Sequence, residues 1–83
     1  MPVAMSYLQV GAFSDMDNAE RMATRMRVEG FPQVAVKTAV VRGQEIHRVL
    51  TGPYLKDDDR DAARRVLSSR GYDTFVIRDT LTP

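Results

Sequence analysis

Residues 11–37, GAFSDMDNAERMATRMRVEGFPQVAVK, return in altered spelling as residues 52–78, GPYLKDDDRDAARRVLSSRGYDTFVIR. Gly11 falls on Gly52, Phe13 on Tyr54, Asp17 on Asp58 and Glu20 on Asp61, an offset of 52 − 11 = 41 residues. In the same register Met26 falls on Leu67, Gly30 on Gly71 and Phe31 on Tyr72. Val34 and Val36 fall on Phe75 and Ile77, and Lys37 on Arg78. Few of these pairs are identities, yet each keeps a physical role, which marks the chain as a duplicated unit.

Each copy reads as strand, helix, strand. Residues 6–12 alternate, with Leu8 and Val10 on one face and Tyr7 and Gln9 on the other, the period of a half-covered strand. Asp17 and Glu20 have the spacing of a capping box. Behind them Ala19, Met22, Ala23 and Met26 form a helical stripe, and Gly30 closes the helix. In the second copy Asp58 stands as the cap, Ala63, Val66 and Leu67 form the stripe, and Gly71 closes it. The expected helices are 18–29 and 59–70. Strands are expected at 33–41 and 44–51 around the turn Arg42-Gly43, and at 74–78. Gly11 and Gly52 read as strand-ending positions.

The order β-α-β-β-α-β is a split βαβ arrangement, so the expected class is α+β, ferredoxin-like. Right-handed crossovers put both helices on one face of a four-stranded antiparallel sheet, with the first and third strands central and 33–41 and 74–78 at the edges. The expected domain is 6–79, with residues 1–5 and 80–83 as flexible ends.

The chain has 83 residues, 43% hydrophobic and 28% charged, enough for one small core. Twelve Lys and Arg against 11 Asp and Glu leave a net charge of +1, no polyelectrolyte footprint for duplex nucleic acid or an anionic membrane. The absence of Cys removes disulfides, thiolate metal sites and a Cys nucleophile. With His47 the only histidine, no Ser-His-Asp set with a second histidine and no His-pair metal site can form. Its parity places it on the helix side as a core-edge residue. The acidic run Asp57-Asp58-Asp59 with Asp61 reads as helix N-terminal charge, lacking the spacing of a calcium loop. No metal and no cofactor are implied. No apolar run nears the ~20 residues of a membrane span and no leader pattern opens the chain, so the expectation is either a cytoplasmic protein or a domain excised from an exported parent. The ragged ends Met1-Pro2-Val3-Ala4 and Thr80-Leu81-Thr82-Pro83 favour the excised domain.

Two helices leave the other sheet face uncovered. If Leu8, Val10, Val34, Val36, Val49, Thr51, Phe75 and Ile77 point to the helices, alternation sends Tyr7, Gln9, Gln33, Ala35 and Lys37 away from them. Ile46, Arg48 and Leu50 follow from the third strand, and Thr74, Val76 and Arg78 from the fourth. An aromatic, aliphatics, amides and three cations without a carboxylate describe a platform for an extended, anionic ligand.

Tyr7-Leu8-Gln9-Val10-Gly11-Ala12-Phe13 resembles the opening motif of the SPOR (sporulation-related repeat) domain, Y-x-V-Q-V-G-A-F, and His47-Arg48-Val49-Leu50-Thr51-Gly52-Pro53-Tyr54 resembles its second signature, R-V-x-V-G-P-F. The resemblance spans about residues 6–78. It implies a non-catalytic bacterial module that binds peptidoglycan glycan strands, preferring strands denuded of stem peptides, and so targets a parent division protein or lipoprotein to the septum. It therefore implies a periplasmic, cell-envelope location without membrane contact by the domain itself. It also implies a ligand groove on the open sheet face. Residue by residue, it puts Gln9 at the family's glutamine and Arg48 at its arginine. Ile46 stands where several members carry an aromatic, Ala12 where some carry a serine, and Val76 where some supply an aliphatic contact. Tyr7 and Leu50 complete the expected ligand-binding set.

The chemistry is coherent on its own terms. Sugar rings offer C–H faces to apolar side chains and hydroxyl or acetamido groups to an amide such as Gln9. Losing a stem peptide leaves a free lactyl carboxylate that Arg48 can pair bidentately, with Lys37 or Arg78 adding attraction. RNA-recognition modules share the topology but stack bases on aromatics of the first and third strands, and the third strand here offers none. A protein-interaction module using the open face or an edge strand is the remaining alternative.

Overall fold

The computed structural model describes residues 3–81, with side chains described for residues 5–78. The elements run β1 (Val3–Phe13), α1 (Met16–Val28), β2 (Val34–Val41), β3 (Gln44–Tyr54), α2 (Asp57–Ser69) and β4 (Phe75–Leu81). The sheet is antiparallel with order β2-β3-β1-β4, so β1 and β3 are central and β2 and β4 form the edges. This is the ferredoxin-like α+β arrangement. The duplication shows in the element starts: residues 3, 16 and 34 in the first copy become 44, 57 and 75 in the second. Arg42 and Gly43 both take positive φ, 53° and 78°, as a two-residue hairpin loop of the right twist requires.

Both helices begin earlier than expected. Asp15, not Asp17, caps α1, and its carboxylate accepts from the Asp17 N–H at 2.9 Å. In α2 the cap position is Lys56, which makes no side-chain cap bond. Asp58 therefore lies within the first turn, with Asp57 and Asp59, where all three complement the helix dipole. Asp57 and Asp61 also clasp Arg60, whose guanidinium is buried and lies 2.9 and 3.1 Å from their oxygens.

The helix ends follow the sequence closely. Gly30 and Gly71 take φ of +101° and +87°. The N–H groups of Phe31 and Tyr72 reach back to the carbonyls of Met26 and Leu67 at 3.1 and 3.0 Å, the Schellman closure, twice. The rings of Phe31 and Tyr72 then meet edge to face, with centroids 6.3 Å apart, and tie the two copies together.

Between sheet and helices lies one core of Leu8, Val10, Ala19, Ala23, Met26, Val34, Val49 and Leu67. Val66, expected in the α2 stripe, is 45% exposed instead. Gly11 does not end its strand, because β1 continues to Phe13. A Cβ there would stand 2.7 Å from the Met22 Sδ and 2.9 Å from the Phe13 ring, so the glycine serves the close approach of α1. Gly52 likewise lies inside β3, which runs on to Tyr54. Val3 pairs with Leu81 and Ala4 with Thr80, so residues 3–5 and 80–81, expected as flexible ends, extend the sheet. The remainder of those expected ends, residues 1–2 and 82–83, lies outside the described residues.

β4 departs from the repeat. β2 sets Ala35 opposite Leu50 of β3, and the 41-residue equivalence would set Val76 opposite Gln9 of β1. Instead Phe75 lies opposite Gln9, Val76 opposite Leu8 and Ile77 opposite Tyr7. A slip of one residue exchanges the faces of a whole strand. Val76 therefore packs against the core and Phe75 is 66% exposed, the reverse of the expected parity.

Candidate functional site

The molecule measures 37 × 33 × 17 Å, the thickness of one helix layer on one sheet, and among the described residues no helix or strand covers the far face of the sheet. Directly opposed residues of antiparallel strands share a face, so the pairing register maps that surface row by row. One row reads Ala35, Leu50, Gln9, Phe75 across β2, β3, β1 and β4. The next reads Lys37, Arg48, Ala12, and beyond it Ala39 lies beside Ile46. On the other side of the first row Tyr7 lies beside Ile77.

A register shift between Gln9 and Gly11 is what brings Ala12 opposite Arg48. The extra residue, Val10, stays in the core, and Gln9 and Ala12 both end on the open face despite their odd spacing. Six of the seven expected ligand-binding residues thus share this face: Tyr7, Gln9, Ala12, Ile46, Arg48 and Leu50. The seventh, Val76, is corrected to the helix side by the slip of β4. Thr74 and Arg78 leave the open face with it, and the Thr74 hydroxyl accepts a bond from the Arg64 Nε of α2 at 3.1 Å. Phe75 and Ile77 take their place.

The surface has internal order. The Lys37 ammonium lies 5.6 Å from the centroid of the Tyr7 ring. Lys37 is on β2 and Tyr7 on β1, so this contact passes above β3 and over the row that holds Leu50. Leu50 is only 7% exposed, and the apolar contact it was expected to offer a ligand is already taken up within the face. Lys37 and Arg48 stand directly opposite one another, an arrangement of like charges that costs stability unless an anion joins them. Among the described residues neither forms an ion pair with a carboxylate. The side chain of Asp79, which pairs with Met5 at the far end of β4, lies outside the described set.

His47 lies where its parity put it, buried on the helix side, with its Nδ1 2.8 Å from the Thr38 hydroxyl. No group of three or more His, Cys, Asp or Glu among the described residues is arranged to hold a metal. No helix among them is long and apolar enough to cross a membrane. A groove of about 340 Å³ lies on the helix side, between α2 and the α1–β2 connection, lined by residues including Phe31, Tyr54, Val66 and Arg70. The open face is by contrast a platform: an amide, two cations and two aromatic rings set on one side of the sheet. Such a surface can hold an extended polar chain by ring stacking, hydrogen bonds and charge.

The family model for the SPOR domain matches residues 6–78. The crystal structure of the RlpA SPOR domain from Pseudomonas aeruginosa superposes with a TM-score of 0.77 at 27% identity, covering 89% of this chain and 99% of that one. The solution structure of the peptidoglycan binding domain of the Bacillus subtilis cell wall lytic enzyme CwlC superposes with a TM-score of 0.68 at 22% identity, covering 92% and 90%, and shares the fold. No curated protein matches the sequence.

Proposed function

The chain belongs to the SPOR domain family, and from that premise we propose that it binds peptidoglycan through the uncovered face of its sheet, as a binding module and not an enzyme. The observation that carries this reading is the Lys37–Arg48 pair, two opposed cations without a carboxylate partner among the described residues, one strand away from the Gln9 amide. A peptidoglycan-binding function places the domain in the cell envelope.

The finer reading concerns which glycan. A strand freed of stem peptides exposes a carboxylate on each lactyl group, whereas an intact stem converts it to an amide and adds bulk. Arg48 pairs such a carboxylate through two parallel N–H donors, and Lys37 adds charge from the neighbouring strand. Gln9 meets hydroxyl and acetamido groups with both a donor and an acceptor. Tyr7 and Ile46 contact the C–H faces of the sugars at either end of the face, and the small Ala12 leaves room beside Arg48. Preference for denuded strands would concentrate the domain, and any parent protein carrying it, where amidases work at the division septum.

The test is co-sedimentation with purified sacculi, with and without amidase pretreatment, for the wild type, Arg48→Ala and Gln9→Ala. Amidase treatment should raise binding of the wild type, and each substitution should abolish most of that gain. Equal binding to both preparations would remove the denuded-strand preference. A wild type that stays in the supernatant in both would remove the function.

A further inference from the structure

We infer that Phe75 is a stacking platform for a sugar ring, a contact that the one-residue slip of β4 creates on this chain. The inference rests on the glycan-binding reading above and adds to it a residue that no motif indicates.

The geometry is specific. Phe75 lies directly opposite Gln9 on the open face and is 66% exposed, while Ile77 beside it lies opposite Tyr7. The register of the first repeat would have turned Phe75 toward the helices and Val76 outward. The chain does the opposite: it gives the smaller apolar side chain to the core and presents the larger, aromatic one to solvent. Exposing an aromatic when an inward register exists in the same molecule is a loss for folding, and a ligand-contacting role accounts for it.

Charge and spacing name the occupant. Phe75 on β4 and Arg48 on β3 are separated by β1, about 10 Å across two interstrand spacings and about 7 Å along the strands, with the Gln9 amide between them on the diagonal. Along this diagonal the face offers, in sequence, an apolar ring surface, an amide and, in the next row, a pair of cations. A glycan laid across the strands would place one sugar ring on Phe75, its acetamido and hydroxyl groups at Gln9, and the carboxylate of a neighbouring muramic acid at Arg48 and Lys37. In this chain, the central strand β3 carries Ile46 rather than an aromatic, and Phe75 supplies the stacking surface from the edge strand β4.

The chain contains no Trp, so a Phe75→Trp variant carries a single indole at the proposed contact. The probe is soluble denuded glycan, prepared by amidase digestion of sacculi followed by muramidase release and size fractionation. Titration calorimetry of the wild type, Phe75→Ala and Phe75→Trp is paired with emission spectra of the Trp variant. Phe75→Ala should weaken binding about tenfold, as loss of an interface aromatic does. Phe75→Trp should bind at near wild-type strength, with its emission shifted on adding glycan. If the wild type binds and Phe75→Ala binds equally well, or the Trp emission stays unmoved, Phe75 is no contact and the inference falls while the glycan reading stands. If the wild type fails to bind, both fall together. Unchanged unfolding midpoints for the variants separate lost contact from lost fold.

Discussion

Gly11 shows how a single position couples the packing of a helix to the shape of the face behind it. It lies opposite Val49 just after the register shift that follows Gln9, and α1 closes onto it through Met22. Gly11→Ala should therefore lower stability by about 1–3 kcal/mol, the range for forcing extra volume into a packed site. Combining it with Met22→Ala should recover part of the loss if the sulfur is the obstacle; urea denaturation of both variants reads this out. On the open face the consequences differ in kind. Arg48 is half-buried and has no carboxylate partner among the described residues. Arg48→Ala should thus leave the unfolding midpoint close to wild type while weakening binding to denuded glycan. Arg48→Lys, which keeps the charge and loses the bidentate fork, should recover only part of it.

At the scale of elements, β4 is the informative strand. Its slip predicts a contrast between neighbours. Val76→Ala should cost about 1–2 kcal/mol because it removes partly buried methyl groups packed on the core, and Phe75→Ala should stay within about 0.5 kcal/mol because its ring is solvated. The repeat's own register predicts the reverse order, so paired denaturation curves decide between them. The helix ends are the second instructive feature. Tyr72 donates to the Glu29 carboxylate at about 2.9 Å, and its ring meets both Phe31 and the Arg25 guanidinium. Arg70, at the position equivalent to Glu29, returns a bond to the Glu29 carbonyl and lies over the Phe31 ring. Gly71→Ala would place a Cβ at φ +87° with no steric contact near it, so its expected cost of about 1–2 kcal/mol is purely conformational.

The whole molecule is a plate of two layers, and its function follows from that asymmetry. A single core beneath two short helices leaves one broad side of the sheet uncovered among the described residues, and that side carries two aromatics and two cations without a carboxylate partner among them. Binding that relies in part on this charge should weaken with salt, since screening acts strongly on an exposed surface. Raising ionic strength from about 0.05 to 0.5 M should reduce affinity of the wild type for denuded glycan, and should reduce that of Arg48→Ala less. The same titration against single-stranded RNA should show no binding that survives moderate salt, because β3 offers Ile46, Arg48 and Leu50 where base stacking needs a ring.

The amino-acid order by itself determined the duplication, the six elements and their succession, the central strands, the two glycine-closed helices and the face that stays bare. These follow from period, caps and turn residues, which act over a few positions and are legible one segment at a time. It also placed Gln9, Arg48 and Ile46 on one surface, because the alternation of β1 and β3 there is unambiguous. The tertiary structure decided the rest. Phe75-Val76-Ile77 is apolar at every position, so alternation within that strand carries no mark of which side faces inward, and the repeat suggested the wrong one. The choice was made across the sheet, by pairing Val76 with Leu8 and Phe75 with Gln9, and pairing register is a contact between segments more than 60 residues apart. Burial of Leu50 beneath the Lys37–Tyr7 contact has the same origin, since it needs three strands assembled before any of its members can meet.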